Sequence, residues 1–224
     1  MIPLRDNAPS KKFPAINWLI ILANAYCFYR ELTAGSPSAL KHIIDRWAVV
    51  PPLLFHHGEW YRLLTATFLH GGWLHIASNM LFLYIFGDAI EDKIGHLKYL
   101  FFYLFAGVVA NFAQAFMTPS ANIPMLGASG AIAGVLGAYF FFYPYARILT
   151  LIPILFFITI REVPAFIFLG IWFFLQTFNG AMALSTQLIT NHSIGGIAWW
   201  AHAGGFMYGI LLAPMLGSRT SKYR

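Results

Sequence analysis

The sequence predicts an all-α membrane protein that forms a bundle of six transmembrane helices. Three observations predict this class. Of the 224 residues, 59% are hydrophobic and 18% are aromatic, whereas only 10% are charged. Several apolar runs come close to the roughly 20 residues that a helix needs to cross the hydrocarbon layer. Short polar joints separate these runs, so the pattern is that of a polytopic membrane protein and not of a soluble domain.

The six predicted spans follow one another along the chain. They cover residues 14–33, 64–87, 97–117, 128–145, 163–179 and 194–216. This arrangement gives a cytoplasmic N-terminal segment 1–13, a membrane domain 14–216 and a cytoplasmic C-terminal tail 217–224. No small-residue cleavage site follows the first apolar run, so we expect that run to remain as a helix.

Two apolar segments are harder to place. Within the joint 34–63, the stretch 47–55 is interrupted by Pro51 and Pro52. It is too short to cross a bilayer and is expected to lie in the interface. Residues 148–160 are also apolar, and a seventh span there would move the C-terminus to the other side of the membrane.

The basic residues favour six spans over seven. With the N-terminus inside, the outer segments contain only Arg30, Lys41, Arg46 and Arg62 of the 14 Lys and Arg residues. The other ten lie in cytoplasmic segments: Arg5, Lys11, Lys12, Lys93, Lys98, Arg147, Arg161, Arg219, Lys222 and Arg224. This asymmetry follows the positive-inside rule and predicts that both termini are cytoplasmic. The basic residues do not cluster with stacking aromatics, so no nucleic-acid partner is expected.

Polar side chains inside a span are costly and therefore mark candidate functional positions. The predicted spans contain His70, His75, Asn79, Asn111, Gln114, Ser129, Gln176 and His202. The topology puts His75, Asn79, Ser129 and His202 in the outer half of the membrane. Asn79 follows His75 by four positions, which places the two on one helix face. His70 lies about 140° away from His75 around the predicted helix and is expected to act separately.

Ser129 and His202 form the smallest plausible hydrolytic unit. A serine hydroxyl becomes a strong nucleophile when a neutral imidazole takes its proton. No Asp or Glu within the spans is an obvious third member, so we expect a dyad. The imidazole N–H of His75, the amide of Asn79 and the backbone N–H of Ser129 are suitable donors for an oxyanion. Small residues flank both Ser129 and His202 and would let their helices approach closely.

Four motifs resemble those of the rhomboid family of intramembrane serine proteases, from about residue 59 to residue 212. The segment 127–130, Gly-Ala-Ser-Gly, resembles the nucleophile motif GxSG, and His202 with Gly205 resembles the base motif AHxxG. The segment 70–79 is similar to the second-span pattern that supplies the oxyanion donors. The segment 87–95 is similar to a GxxxExxxG turn.

Two further residues enter through the same resemblance. Glu91 is the glutamate of the GxxxExxxG turn, where its role is structural. Arg62 matches the arginine of a Trp-Arg motif in the first outer loop, although Tyr61 stands where a tryptophan is expected. Some family members carry an aromatic residue at the position of Ala133, so support for His202 is expected from Trp199 or Phe206.

The resemblance implies a six-helix catalytic membrane domain with a water-filled cavity open to the outer face. It implies cleavage of transmembrane segments of other membrane proteins near that face, with no cofactor and no metal. Ser129 would attack, His202 would act as the base, and His75, Asn79 and the Ser129 amide would hold the oxyanion. His70 is an accessory candidate that lines a water route or makes a structural hydrogen bond. The partners are transmembrane substrates and the lipid bilayer.

Several alternatives are open at this point. A non-catalytic rhomboid-like protein would bind transmembrane helices, but that interpretation calls for a broken dyad. A transporter would place polar residues in both leaflets. A zinc site at His70, His75 and His202 is disfavoured because His70 and His75 diverge around the predicted helix and no HExxH motif occurs.

The region around the fifth span also has two interpretations. The polar segment 180–193 is either a movable lid or an ordinary loop. Phe168, Trp172 and Phe173 in the fifth span either line a lateral gate or face lipid. The compact loops and the absence of a transit-like N-terminus favour a bacterial inner membrane.

Overall fold

A computed structural model describes residues 1–154, 157–190 and 198–217. This part of the chain is mostly helical, with a three-stranded sheet at one end. The strands are β1 (Ile2–Asp6), β2 (Arg147–Ile154) and β3 (Phe157–Pro164), and the helices are α1 (Ala15–Leu32), α2 (Pro37–Trp47), α3 (Pro51–His57), α4 (Arg62–Thr65), α5 (Trp73–Ile94), α6 (His96–Met117), α7 (Ser129–Phe142), α8 (Ala165–Thr190) and α9 (Trp199–Leu216). A short 3₁₀ turn, Ala66–Phe68, follows α4.

Three helices of the described part are long and apolar enough to cross a membrane. They are α5, α6 and the segment Ala165–Thr186 of α8. α7 is also strongly apolar but is only 14 residues long. These helices identify a membrane protein, in agreement with the composition of the sequence.

α7 is the central helix of the bundle. From Gly130 to Tyr139 every one of its residues is buried, as expected of a helix that is apolar all around and lies in the core of a bundle. Phe86 of α5, Phe102 of α6, Phe168 of α8 and Phe206 of α9 belong to the same hydrophobic core as its side chains. The position of Ser129 at the start of α7 is therefore fixed by a fully packed helix.

The ends of α1 and α5 are tied together in an antiparallel pair. At one end, the Glu91 carboxylate accepts hydrogen bonds from the backbone N–H groups of Ile16 (2.9 Å) and Asn17 (2.7 Å). These N–H groups belong to the first turn of α1 and have no partner within their own helix. At the other end, the Glu31 carboxylate accepts from the backbone N–H of His70 at 3.1 Å. Glu91 and Glu31 thus align the two helices.

The sheet corrects the prediction that all regular structure is helical. β1, β2 and β3 are antiparallel in that order, and β2 and β3 form a hairpin from the apolar segment 148–160. This segment is too short for a membrane span, and its Ile and Thr residues favour strands. Part of the segment 1–13 pairs with it as β1, with Ile2 opposite Leu151. The described residues of this segment, 148–154 and 157–160, therefore form strands and not a seventh span.

The predicted second span, 64–87, is also corrected. The structure breaks it into α4, the 3₁₀ turn and α5, and α5 continues to Ile94. Gly72 has a φ of 152° and Gly95 a φ of 88°. Such left-handed φ values suit glycine and not other residues, so these two glycines delimit α5. In the preceding joint 34–63, α2 and α3 form, and the buried Val49 pairs with Met125.

The helix of the predicted fifth span, α8, is longer than predicted. α8 ends at Thr190, so residues 180–190 are helical and do not form the loop or lid that the sequence suggested. Residues 191–193, and the first part of the predicted sixth span, 194–197, lie outside the described residues. The predicted spans 97–117 and 128–145 agree closely with α6 and α7.

Candidate active site

Ser129 and His202 lie side by side although 73 positions separate them in the chain. The Ser129 Oγ is 2.7 Å from the His202 Nε2. Ser129 is the first residue of α7, and His202 lies in the first turn of α9. His202 is 8% exposed, whereas Ser129 is half-buried, so the imidazole is largely enclosed and the hydroxyl lies at the edge of the packed region.

Glycine residues explain why α7 and α9 approach so closely. A Cβ atom on Gly205 would overlap the carbonyl oxygen of Gly130, and one on Gly209 would overlap that of Gly134. The two helices run parallel with their backbones in contact, as small-residue interfaces permit. The start of α9 is anchored further by Gln114 of α6, whose side-chain oxygen accepts from the Trp200 N–H at 2.9 Å.

His75 faces the loop that precedes Ser129. Its Nδ1 accepts a hydrogen bond from the Gly71 N–H at 3.3 Å, which leaves the proton of the neutral ring on Nε2. Gly127 has a φ of 133°, and a Cβ there would lie 2.8 Å from that Nε2. Only glycine therefore fits between the His75 ring and the Ser129 loop, and the N–H of His75 is directed to this loop.

Asn79 lies one helical turn after His75 on α5. It is 6% exposed, and its amide Nδ2 has no hydrogen-bond partner among the described residues. A buried amide donor without a partner is costly, which is typical of a group that serves a ligand. The backbone N–H of Ser129 is a third donor of this kind, since the first N–H groups of a helix have no intrahelical acceptor.

The position of His70 differs from the predicted one. It precedes α5 and is not on a helix, because the chain turns at Gly72. Its ring centroid is consequently 5.1 Å from that of His75, so the expected divergence of the two histidines is wrong. Among the described residues, no group of three or more His, Cys, Asp or Glu side chains is arranged to hold a metal ion.

Gln176 is a residue whose role the sequence analysis missed. Its Oε1 lies 2.6 Å from the His202 Nδ1. One turn earlier on α8, the Trp172 ring lies 5.7 Å from the His202 ring, and it contacts Phe206 as well. Support for the imidazole thus comes from α8 and not directly from Trp199 or Phe206. The sequence signal was present, since Gln176 was among the polar residues of the spans.

Arg62 and Glu91 have structural roles, and neither makes a hydrogen bond to Ser129 or His202 among the described residues. Arg62 pairs with the Glu59 carboxylate and donates from Nη1 to the carbonyl oxygens of Asp45 (2.6 Å) and Ala48 (2.9 Å). The hydrogen bond from Arg62 lowers the pKa of Glu59. Arg62 therefore folds the joint between α2 and α4, whereas Glu91 caps α1 and pairs with His96.

Comparisons with known proteins agree with the motifs. The family model described as Rhomboid domain matches residues 57–219. The chain is 29% identical to Rhomboid-like protein 11, chloroplastic, of Arabidopsis thaliana, over 97% of this chain and 71% of that protein. It is 35% identical to Putative rhomboid protease YdcA of Bacillus subtilis, over 58% of this chain and 62% of that protein. It is 36% identical to Rhomboid protease GluP of the same organism, over 56% of this chain but only 24% of GluP.

Proposed function

The chain belongs to the rhomboid family, and from that premise we propose that it is an intramembrane serine endopeptidase that cleaves transmembrane segments of other membrane proteins near the outer face of the membrane. The observation that carries the proposal is the 2.7 Å contact between the Ser129 Oγ and the His202 Nε2. Two of the relatives are named as rhomboid proteases, one of them as putative. An intact nucleophile and base pair disfavours a protein that only binds helices.

The chemistry follows from the orientation of this pair. The His202 Nε2 takes the hydroxyl proton as the Ser129 Oγ attacks the scissile carbonyl carbon. The same proton then passes from Nε2 to the leaving amine nitrogen, and the acyl group stays on Oγ. A water molecule repeats the sequence and releases the acid. No metal or cofactor takes part in these steps.

Three donors are assigned to the oxyanion of the tetrahedral intermediate. They are the His75 Nε2–H, the Asn79 amide and the Ser129 backbone N–H. Support comes from the His75 tautomer that the Gly71 N–H fixes, and from the unpaired Nδ2 of Asn79. Donors that are already oriented stabilise the developing charge without reorganisation, which is usually the largest electrostatic contribution to such a reaction.

We assign six spans to the bundle: α1, α5, α6, α7, α8 and α9. The antiparallel contacts of α1 with α5, and the parallel contacts of α7 with α9, agree with alternating directions through a membrane. The sheet lies at the end of the bundle opposite Ser129, since Tyr139 near the end of α7 donates to Asp6 of β1. Basic residues at this end favour a cytoplasmic position for it and for both termini. We therefore propose that the site lies in a water-filled cavity open to the outer face. The compact loops of the sequence favour the cell membrane of a bacterium as the location of the protein.

The test is cleavage of a model single-span substrate by purified protein in proteoliposomes. We expect the wild type to cut it and Ser129→Ala and His202→Ala to fold and insert normally without cutting. Ser185→Ala is the matched control, because the Ser185 hydroxyl is exposed and donates to the Met182 carbonyl of its own helix. Undiminished cleavage by Ser129→Ala would refute the proposal. Binding of the substrate without cleavage by the wild type would indicate a non-catalytic helix binder.

A further inference from the structure

We propose that Gln176 is a positioning residue for the catalytic base. Ser129, His202 and Gln176 then form one hydrogen-bonded chain, which we call the relay, and not an isolated dyad; no proton passes to Gln176. The amide oxygen of Gln176 accepts the Nδ1 proton of His202 and holds the ring in the tautomer that catalysis needs. This inference rests on the proposed function and adds to it a third member, contributed by α8.

The contact is short and enclosed. The Gln176 Oε1 and the His202 Nδ1 are 2.6 Å apart, within the range of a strong hydrogen bond. Both residues are only 8% exposed, so water has little access to this contact. A buried Nδ1–H without an acceptor would be costly. The Gln176 side-chain oxygen is the acceptor for the His202 Nδ1–H.

The partners on the two sides of the ring decide its tautomer. A neutral imidazole has one N–H and one bare nitrogen. The oxygen of Gln176 is only an acceptor, so the proton belongs on Nδ1 and the bare nitrogen is Nε2. Nε2 then faces the Ser129 hydroxyl at 2.7 Å and is able to accept its proton. The opposite tautomer would direct an N–H at Ser129 and block general-base catalysis.

The same bond becomes stronger as the reaction proceeds. When Nε2 takes the serine proton, His202 becomes an imidazolium and donates from both nitrogens. The amide oxygen of Gln176 then faces a positive charge, and hydrogen bonds to charged groups are stronger than neutral ones. In a Ser-His-Asp triad a buried aspartate does this work, and a neutral amide does it here at a lower desolvation cost.

Trp172 and Gln176 act on the imidazole together. They are four residues apart on α8 and thus share one helix face. The indole of Trp172 lies 5.7 Å from the His202 ring, tilted by 36°, while the amide of Gln176 binds at the ring edge. The ring is therefore restrained both by a planar neighbour and by a directional hydrogen bond, which is more than packing alone requires.

The test compares Gln176→Leu with Gln176→Glu in proteoliposomes, with kcat and KM measured as functions of pH. The leucine is similar in size but accepts no hydrogen bond, so we expect kcat to fall roughly 10-fold to 100-fold, the range of a hydrogen bond to a charged group, while KM stays nearly unchanged. The glutamate keeps an acceptor oxygen, so we expect a higher kcat than for leucine. Its negative charge favours the imidazolium, so the acidic limb of the kcat profile should move to higher pH.

Thr177→Val is the control, because the Thr177 hydroxyl bonds the carbonyls of its own helix at Phe173 and Phe174. It should leave kcat and its pH profile as in the wild type. A role of Gln176 in packing alone predicts the reverse order of the variants, since leucine suits a buried site better than a carboxylate. If Gln176→Leu fails to fold, the pH profile of Gln176→Glu decides: a shifted acidic limb supports the relay, and an unshifted one overturns it.

Two failures are distinguishable in this experiment. A wild type that does not cleave would overturn the proposed function. A wild type that cleaves while Gln176→Leu retains its full kcat would overturn only the role of Gln176. Nitrogen-15 NMR of labelled histidine reads the tautomer directly, without catalysis. We expect the His202 proton on Nδ1 in the wild type and a population with the proton on Nε2 in Gln176→Leu; an Nε2 proton in the wild type would contradict the relay.

Discussion

α9 and α8 hold the same histidine in different ways. α9 joins α7 backbone to backbone, with Gly205 and Gly209 against carbonyl oxygens of α7. α8 touches α9 through side chains, chiefly Trp172, Phe173 and Gln176. Much of α8 is exposed to the surroundings of the bundle, whereas α7 is enclosed. The contrast separates the fixed part of the site from its adjustable part.

The difference has a mechanical consequence. The distance between Ser129 and His202 depends on glycine contacts that leave no room for adjustment. The link between Gln176 and His202 depends on the position of α8, so displacement of that helix would break it and leave the serine and histidine together. Movement of α8 would therefore change the tautomer control of the base without dismantling the dyad.

The first prediction concerns one methyl group added to α9 and one added to α8. Gly209→Ala would place a Cβ against the backbone of Gly134 and Ala138. These atoms belong to the backbone of α7 and cannot move aside as a side chain would, so we expect a loss of about 4 kcal/mol in the free energy of unfolding, above the usual overpacking effect of about 1–3 kcal/mol. Gly170→Ala on α8 meets no atom within 4 Å and should be neutral or stabilising by up to about 1 kcal/mol. Equal effects in thermal or denaturant unfolding would remove the distinction.

The second prediction compares two equally buried asparagines, Asn79 and Asn111. The Asn111 amide donates to the Leu63 carbonyl at 2.8 Å, whereas the Asn79 Nδ2 has no partner in the described structure. We expect Asn79→Ala to lower kcat by about 10²-fold to 10³-fold, which corresponds to a loss of about 2.7–4 kcal/mol of transition-state stabilisation. Its free energy of unfolding should change little. Asn111→Ala should instead lose about 1–3 kcal/mol of stability and keep its kcat per folded molecule. A reversed pattern would make Asn79 structural.

The third prediction concerns the contact between the Trp172 ring of α8 and the His202 ring. Trp172→Ala should reduce kcat roughly threefold to tenfold, since aromatic contacts of this kind contribute about 0.5–1.5 kcal/mol beyond burial. Phe174→Ala is the control, because Phe174 lies on the same helix and is largely exposed. Steady-state cleavage assays measure both variants. An equal loss in the two would mean that α8 acts through its general integrity and not through the contact with His202.

The smallest effect lies at the far end of α7, in the sheet. Burial raises the pKa of Asp6 to about 6, although the hydrogen bond from Tyr139 opposes the shift. The folded state therefore binds the proton more tightly than the unfolded state does, and stability falls as pH rises from about 4 to about 6. The full shift corresponds to about 3 kcal/mol. Because Asp6 is only partly buried, solvent screening reduces the expected loss to about 1–2 kcal/mol, and the loss should disappear in Asp6→Asn. A parallel pH dependence of unfolding in the two proteins would contradict the assignment.

The sequence predicted the elements that depend on local pattern. The small residues that flank Ser129 and His202 predicted close approach of their helices, because small-residue spacing constrains helix packing directly. The contact itself is present. The hairpin from residues 148–160 was not predicted, since a short apolar run has no period that separates a strand from a buried helix.

Gln176 shows the limit of such inference. Its polarity marked it as unusual for a span, but whether it faced lipid, water or His202 depended on the length and tilt of α8. That helix continues to Thr190, well beyond the predicted end at 179. The partner of His202 on α8 thus depends on tertiary packing, which a single-sequence pattern does not encode. His70 illustrates the same point, because the break at Gly72 brought it to His75.

The most direct measurement is labelling of the purified protein with a serine-directed fluorophosphonate probe, followed by mass spectrometry of the labelled peptide. We expect the wild type to be labelled at Ser129, Ser129→Ala to remain unlabelled, and His202→Ala to be labelled far more slowly. Labelling of Ser129 at the same rate in His202→Ala, or no labelling of a folded wild type, would contradict activation of the hydroxyl by the imidazole.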